Sequence, residues 1–357
     1  MFSASSIFTF IVVLGVIVVF HEFGHYIVAR LCGVTVKTFS VGFGPKILKK
    51  QIGPTEYCLC ALPLGGYVRM MGDDPNEEIS EEDRAHAFLS QPVRKKIAIV
   101  VAGPLFNILL AIFIYSGIFM VGFPTLTAIV GEIQEGSAAE QGGLQSGDRI
   151  VAIEDKEIAL WDEIRETVQK RDGKSLLFHV DRGGEKVTVT ITPQMKESED
   201  LFGEKHPTWL IGILPKGDQI TKRYNPFQAV YLGVKQTWNM SVMNMVGIGK
   251  LIQGKISSDN LGGPIMIAQI VDQQASRGVL NIVSFIALLS INLGLINLFP
   301  IPVLDGGHLV FFTIEGILGR PLSLKKMEIA QQVGLFLIVS LMVFAMYNDI
   351  MRFFVSP

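Results

Sequence analysis

His21-Glu22-Phe23-Gly24-His25 interrupts an otherwise apolar run: Ile7 to Phe20 contains no charged residue, and Tyr26 to Ala29 is apolar on the other side. Two histidines and a glutamate inside a membrane-length helix are costly, and they persist where something such as a metal uses them. Side chains four apart share one helical face, so His21 and His25 can hold one ion together. Glu22 follows His21 and projects near the same ion, where it can take a proton from the attacking water. Gly24 lets this helix pack closely against neighbouring backbone. The alternative is a chance HExxH, a pattern that also occurs in proteins that are not enzymes. The apolar setting weighs against chance.

The rest of the composition agrees with a membrane setting. Hydrophobic residues make up 49% of the 357 and charged residues only 18%, on the membrane side of soluble composition. A net charge of −2 gives no footprint for nucleic acid. Four apolar stretches reach the roughly 20 residues a helix needs to cross a bilayer: about Ser5 to Arg30, Ile97 to Gly122, Val279 to Leu298 and Ile329 to Tyr347. The first is read as a span and not a cleaved leader, because it lacks a basic start and runs straight into the histidines.

Basic residues orient the spans. Arg30, Lys37, Lys46, Lys49, Lys50, Arg69, Arg84, Arg94, Lys95 and Lys96 fall between spans one and two, and Arg320, Lys325 and Lys326 between spans three and four. Both segments are expected on the cytoplasmic side, with both termini and the long middle segment outside. The motif then lies in the cytoplasmic half of span one. Cys32, Cys58 and Cys60, the only cysteines, fall on the reducing side. Cys58 and Cys60 read as buried small residues, with a Cys-x-Cys metal site as the alternative.

A catalytic zinc site needs a third protein ligand. Asp305 is the candidate, in Asn297-Leu298-Phe299-Pro300-Ile301-Pro302-Val303-Leu304-Asp305-Gly306-Gly307-His308. Irregular backbone at membrane depth is tolerated where it is buried in protein or lines a cavity. The topology puts this segment at the same depth as the histidines. The competing readings are Asp305 as a helix cap and His308 as the ligand.

These residues resemble the site-2 proteases, the intramembrane zinc metalloproteases, and most of all their bacterial, sigma-E-regulating branch. The resemblance covers nearly the whole chain. It rests on HEFGH, Val41-Gly42-Phe43-Gly44-Pro45, Leu64-Gly65-Gly66-Tyr67-Val68, Ala102-Gly103-Pro104 with Asn107, and Asn297 to Gly306. It implies Zn2+ bound by His21, His25 and Asp305, Glu22 as general base, and hydrolysis of a peptide bond within or near a substrate's transmembrane helix. It further implies a bacterial inner (cell) membrane as the location.

Thr35 to Met70 reads as strand, with Thr55 to Cys60 β-prone and glycines as punctuation. It resembles the family's membrane-dipping β-loop. An exposed edge there can hold an unwound substrate by strand addition, with Tyr57, Cys58 and Leu59 as candidates; the alternative is an amphipathic hairpin at the lipid surface. Asp73 to Arg84, with Pro75 and Asn76, reads as a solvated acidic loop. Asn297 is a candidate for hydrogen-bonding substrate backbone or the oxyanion, or for bonding between helices.

Thr127 to Pro193 reads as an extramembrane α+β domain. Ile129-Val130 begins a strand, Gly136 to Ile150 holds a short helix and turn, Trp161 to Lys170 is helical, and a hairpin turns at Arg182-Gly183-Gly184. With Gly142-Gly143-Leu144-Gln145-Ser146-Gly147-Asp148 it resembles a single PDZ domain, which can bind a peptide tail by strand addition or act as a steric gate. Asn225-Pro226 is a helix start, and Phe227 to Lys250 is amphipathic and methionine-rich. That helix either lies on the membrane surface or packs on the bundle. Leu261-Gly262-Gly263-Pro264-Ile265 resembles a family turn before span three.

The expected fold is therefore an α-helical polytopic membrane protein of about four transmembrane helices, with a membrane-associated β-loop and one inserted α+β PDZ domain. Residues 1–126 hold the first two spans, 127–193 the PDZ domain, 194–278 a linker and amphipathic helix, and 279–357 the last two spans. Expected partners are transmembrane protein substrates, a peptide tail or partner at the PDZ domain, and the lipid bilayer, with no nucleic acid. The rival readings are a PDZ-bearing membrane scaffold with a structural or vestigial metal, and a transporter. Three ligands in place of the four of a closed structural site favour catalysis.

Overall fold

The computed structural model describes residues 4–74, 77–199 and 203–355. Pro75 and Asn76 of the expected acidic loop lie outside the described residues. The chain forms two compact units: Met1–Ile118 with Pro226–Gly249 and Ser257–Pro357, and Phe119–Asn225 with Lys250–Ile256.

Along the chain, α1 (Ala4–Leu31) leads into a hairpin of β1 (Val36–Ile52) and β2 (Thr55–Met70), then α2 (Val93–Val121). The second unit follows with β3 (Phe123–Leu126), β4 (Val130–Ile133), α3 (Ala138–Gln141), β5 (Arg149–Ile153), β6 (Lys156–Glu157) and α4 (Trp161–Gln169). It continues with β7 (Leu176–Arg182), β8 (Glu185–Ile191), β9 (Gln194–Glu199), β10 (Lys205–Leu210), β11 (Ile213–Pro215) and β12 (Gln219–Lys222). The last helices are α5 (Pro226–Ile252), α6 (Pro264–Ser276), α7 (Val279–Asn297), α8 (Asp305–Leu318) and α9 (Leu324–Val355).

Among the described residues, α1, α2, α7 and α9 are the four helices long and apolar enough to cross a membrane. They differ in how much protein surrounds them. The apolar window of α2 is 44% buried and that of α9 only 6%, so α2 is the hub and α9 presents an exposed apolar surface suited to lipid. On α1 the residues Val13 and Ile17 are buried against Val271 of α6 and partly buried side chains of α7. Ser290 of α7 donates from Oγ to the Asn107 carbonyl of α2 at 2.8 Å. The buried Lys96 of α2 pairs with Glu315 of α8 at 2.6 Å, which ties α8 to the hub.

The β1–β2 hairpin curls. Its register sets Thr38–Val41 beside both Glu56–Leu59 and Gly66–Arg69. Four segments thus lie side by side, and Gly66–Met70 is an outer edge that no other described strand pairs. Val36 and Met70 pack with Ala29, Ile99 and Phe312 in one apolar cluster. That cluster fixes the edge against α1, α2 and α8. The described residues of the acidic loop are mostly exposed, with its start tied down: Glu77 accepts from Lys37 and from the Gly72 N–H, and Asp73 accepts from the Met70 N–H.

The second unit is built on the sheet β6-β5-β7-β8, with β11 on β4, β12 on β3 and β10 on β9. The alternation in β7 buries Leu176, Phe178 and Val180 while Leu177 is exposed, the period-two pattern of a half-buried strand. The unit extends past the expected boundary at Pro193. Ile211 belongs to its core, and Trp209 and Ile213 pack on it. This was not legible because β9 and β10 are charged or half-exposed and lack a clear alternation. Asp148 is buried and accepts both arms of the Arg182 guanidinium at 2.8 and 2.7 Å. Burial alone would raise its carboxyl pKa, but the Arg182 fork and the Gln145 N–H outweigh burial and hold it below the usual value.

On α5, Ala229, Gly233 and Thr237 form a buried stripe, and a Cβ on Gly233 would sit 2.4 Å from Ser116 Oγ of α2. The opposite face is apolar and exposed, led by Phe227 at 90% and Tyr231 and Trp238 at 68%. One face therefore packs on the bundle, while the other is suited to lipid.

Candidate metal centre and active site

Val13, Ile17, His21, His25 and Ala29 recur every four residues on α1, a single stripe turned inward. Val13, Ile17, His21 and Ala29 are buried, and the His25 side chain is 11% exposed. The stripe is apolar over its first turns and switches to imidazole where α1 crosses α2. There His25 Nδ1 lies 2.8 Å from the Ile99 carbonyl oxygen. A carbonyl can only accept, so Nδ1 carries the proton and Nε2 keeps its lone pair for a metal. Pro104 lies inside α2 and has no N–H to return to the preceding turn, which loosens the backbone bonding just beyond Ile99.

Asp305 is the first residue of α8, not part of a loop. The seven residues before it are irregular, and Val303 has φ 88°, a strained conformation for a β-branched residue. The segment wraps over the start of α8: a Cβ on Gly306 would sit 2.0 Å from the Phe299 carbonyl oxygen. This close turn aims Asp305 at α1. Asp305 Oδ2 lies 3.1 Å from His21 Nε2 and 3.5 Å from His25 Nε2, and the two Nε2 atoms are 3.2 Å apart.

These distances suit zinc. Bonds of about 2.0–2.1 Å at tetrahedral angles place ligand atoms about 3.3 Å from one another. Asp305 Oδ2 is buried with no hydrogen-bond partner despite the two imidazoles beside it. The imidazole N–H directions therefore do not serve it, as expected where lone pairs converge on a shared cation. A Cβ on Gly103 would fall 2.2 Å from His25 Nε2 and 2.8 Å from His21 Cε1, so that glycine keeps the cradle open. His21, His25 and Asp305 are the one such group among the described residues. His308 is outside it, though it lines the same cavity.

The cradle opens on a cavity of about 630 Å³ lined by Glu22, Asn297, Asp305, His308 and the strand residues Gly65 to Val68. The strand edge lies close to Glu22: a Cβ on Gly66 would sit 3.3 Å from Glu22 Cγ. Asn297 Nδ2 is 3.4 Å from His21 Nε2, so the structure brings Asn297 to the centre. It does not bring Tyr57, Cys58 or Leu59 there. Tyr57 hydroxyl meets Tyr26 hydroxyl at 2.5 Å, Cys58 is buried, and Leu59 is 41% exposed away from the cavity. The curl explains this, because it is the second half of β2 that reaches the cavity. Cys60 is buried beside Ser40 Oγ at 3.2 Å. The Ile99 carbonyl left no sequence signal, since every residue has one. Asp73, which also lines the cavity, was hidden among its acidic neighbours.

An HExxH helix inside a membrane bundle, a distant aspartate on the same point and a cavity beside them define a membrane-embedded metallohydrolase class. The chain belongs to peptidase family M50, whose model matches residues 9–341. It is similar to a protein of Agrobacterium fabrum named as a zinc metalloprotease, 38% identical over 98% of this chain and 96% of that one. A Brucella suis protein of the same description is 38% identical over 97% of this chain and 95% of its own length. The regulator of sigma-E protease RseP of Escherichia coli is 32% identical over 96% of this chain and 98% of that one. That alignment runs over 447 columns, so stretches of that protein have no counterpart here. A solved PDZ domain, from the SdrC-like protein of Listeria innocua, covers 26% of this chain and 96% of its own at 22% identity. Its TM-score of 0.21 is too low to bear on the fold. The protein is an intramembrane zinc metalloprotease of the site-2 type; the scaffold and transporter readings are not favoured.

Proposed function

We propose that His21, His25 and Asp305 hold the zinc and that Glu22 is the general base for cleavage of a peptide bond in a substrate's transmembrane segment. The observation that supports this most directly is the convergence of the three ligand atoms within 4.8 Å of one another beside Glu22 and an open cavity. Bound zinc supplies Lewis acidity to the scissile carbonyl and to the attacking water. Glu22 takes the proton from that water and returns it to the leaving amine. Asn297 donates from its amide to the developing oxyanion or to substrate backbone. A helical peptide bond is shielded by its own hydrogen bonds, so the substrate must be extended before attack. Gly66–Met70 is the edge suited to hold it by strand addition, in place of Tyr57 to Leu59.

The second unit acts in this reading as a PDZ domain. A groove of about 230 Å³ between α4 and the Trp209–Leu214 segment is suited to a peptide tail, and the unit's bulk suits a steric gate. The enzyme sits in a bacterial inner membrane with its termini and second unit outside and its active site toward the cytoplasm. The substrates in this reading, as the family resemblance implies, are transmembrane proteins such as an anti-sigma factor or a signal-peptide remnant.

The test is cleavage of a single-span substrate by the full chain in liposomes. Wild type is expected to cut, and Glu22→Gln to lose at least about 100-fold in rate with its zinc retained. Asp305→Asn should lose zinc. A Glu22→Gln enzyme at wild-type rate, or Asp305→Asn with full zinc and activity, would remove these residues from their roles.

A further inference from the structure

Asn107 of α2 is fully buried, and the metal chemistry leaves it unused. Its side-chain Nδ2 lies 3.3 Å from His21 Nδ1, and its Oδ1 is buried without a hydrogen-bond partner. Its position is fixed from both sides: its carbonyl accepts from Ser290 Oγ at 2.8 Å, and a Cβ on Gly294 of α7 would sit 3.2 Å from its Cβ.

His21 can ligate a metal through Nε2 only with its proton on Nδ1. An amide nitrogen facing that Nδ1 would then set donor against donor. Oxygen and nitrogen of an amide are assigned from their hydrogen-bond network, and a half-turn about the Asn107 side-chain amide puts Oδ1 where Nδ2 stands. The orphaned carbonyl then accepts the Nδ1–H. This matches the arrangement at His25, whose Nδ1 gives its proton to the Ile99 carbonyl on the same helix. Both histidines are thus oriented by α2, one through a main-chain carbonyl and one through a side-chain carbonyl.

We propose that Asn107 is the positioning residue for His21: its side-chain carbonyl holds the imidazole as the Nδ1–H tautomer, so that Nε2 is presented to the metal. This rests on the reading of His21 as a ligand. The residue touches neither substrate nor metal.

The test is the apparent zinc affinity of the full-length protein by chelator competition, for wild type, Asn107→Asp, Asn107→Leu and His21→Ala. Asn107→Asp keeps an acceptor and is expected within a few-fold of wild type. Asn107→Leu has similar bulk without an acceptor and is expected to bind zinc about 10–100-fold more weakly. Wild-type affinity in Asn107→Leu overturns the proposal. So does an Asn107→Asp protein as weak as Asn107→Leu, which would make the role one of shape or of the amino group. If His21→Ala also keeps its zinc, the ligand reading itself has failed. Should the leucine variant not fold, 15N spectra of zinc-loaded wild type decide: a hydrogen-bonded proton on His21 Nδ1 supports the assignment, and its absence overturns it.

Discussion

Gly103 is where the proposed metal centre tolerates least change. Its α-carbon faces both imidazoles, and a methyl group there would lie 2.2 Å from His25 Nε2. Neither imidazole can yield without leaving the cradle, because His25 is held by Ile99 and α1 packs on α2 at Gly24, where a Cβ would meet the Ala102 carbonyl at 2.4 Å. Gly103→Ala is expected to lower activity about 100-fold, the cost of a misplacement near 1 Å, together with zinc content. Gly117→Ala on the same helix has open space around its Cβ and should leave both unchanged. Zinc content and cleavage rate measured for the two variants separate a steric effect at the cradle from a general effect of alanine on α2.

At the element scale, the Asp148–Arg182 pair joins the turn before β5 to the end of β7. The Asp148 carboxyl is held below its usual pKa. Its contribution to stability is therefore present above the unfolded carboxyl value of about 3.9 and lost as pH falls through the lower folded value. Asp148→Asn should speed amide hydrogen exchange in β5 and β7 at neutral pH. The difference from wild type should shrink as pH falls below about 4. A difference that persists unchanged into acid would show that the pair acts through packing and not through charge. The elements were legible to different degrees. The β7–β8 hairpin follows from alternation and Gly183-Gly184, and α1 from its apolar run. The start of α8 at Asp305 was obscured, because Pro300, Pro302, Gly306 and Gly307 all read locally as helix breakers.

For the whole molecule, the excess of basic residues between the first two spans, α1 and α2, and between the last two, α7 and α9, where Arg320 is joined by Lys325 and Lys326 at the start of α9, predicts their side of the membrane. Reporter fusions at the two termini should behave as extracytoplasmic, and a reporter inserted in the Arg320–Lys326 segment as cytoplasmic. A cytoplasmic N-terminus would reverse the assignment. Lys96 shows that such a count mixes roles: it is buried against Glu315 and beneath the Phe312 ring at 5.0 Å, and it holds helices together as well as biasing orientation.

The membrane class, the four spans and the HExxH face are properties of local pattern, hydropathy over a window and side-chain spacing on a helix, while Asp305 stood out as a candidate by residue type within a Pro- and Gly-broken segment. They survive without tertiary structure because each depends on residues close in sequence or on residue type alone. What only the tertiary structure decided depends on segments far apart in the chain. Convergence of Asp305 with α1, the choice of Gly66–Met70 over Tyr57 to Leu59 as the edge at the cavity, and the meeting of Asn107 with His21 all require helices to pack in one register. That register is set by small residues and carbonyl oxygens, such as Gly103 and Ile99, whose role exists only once another helix is against them.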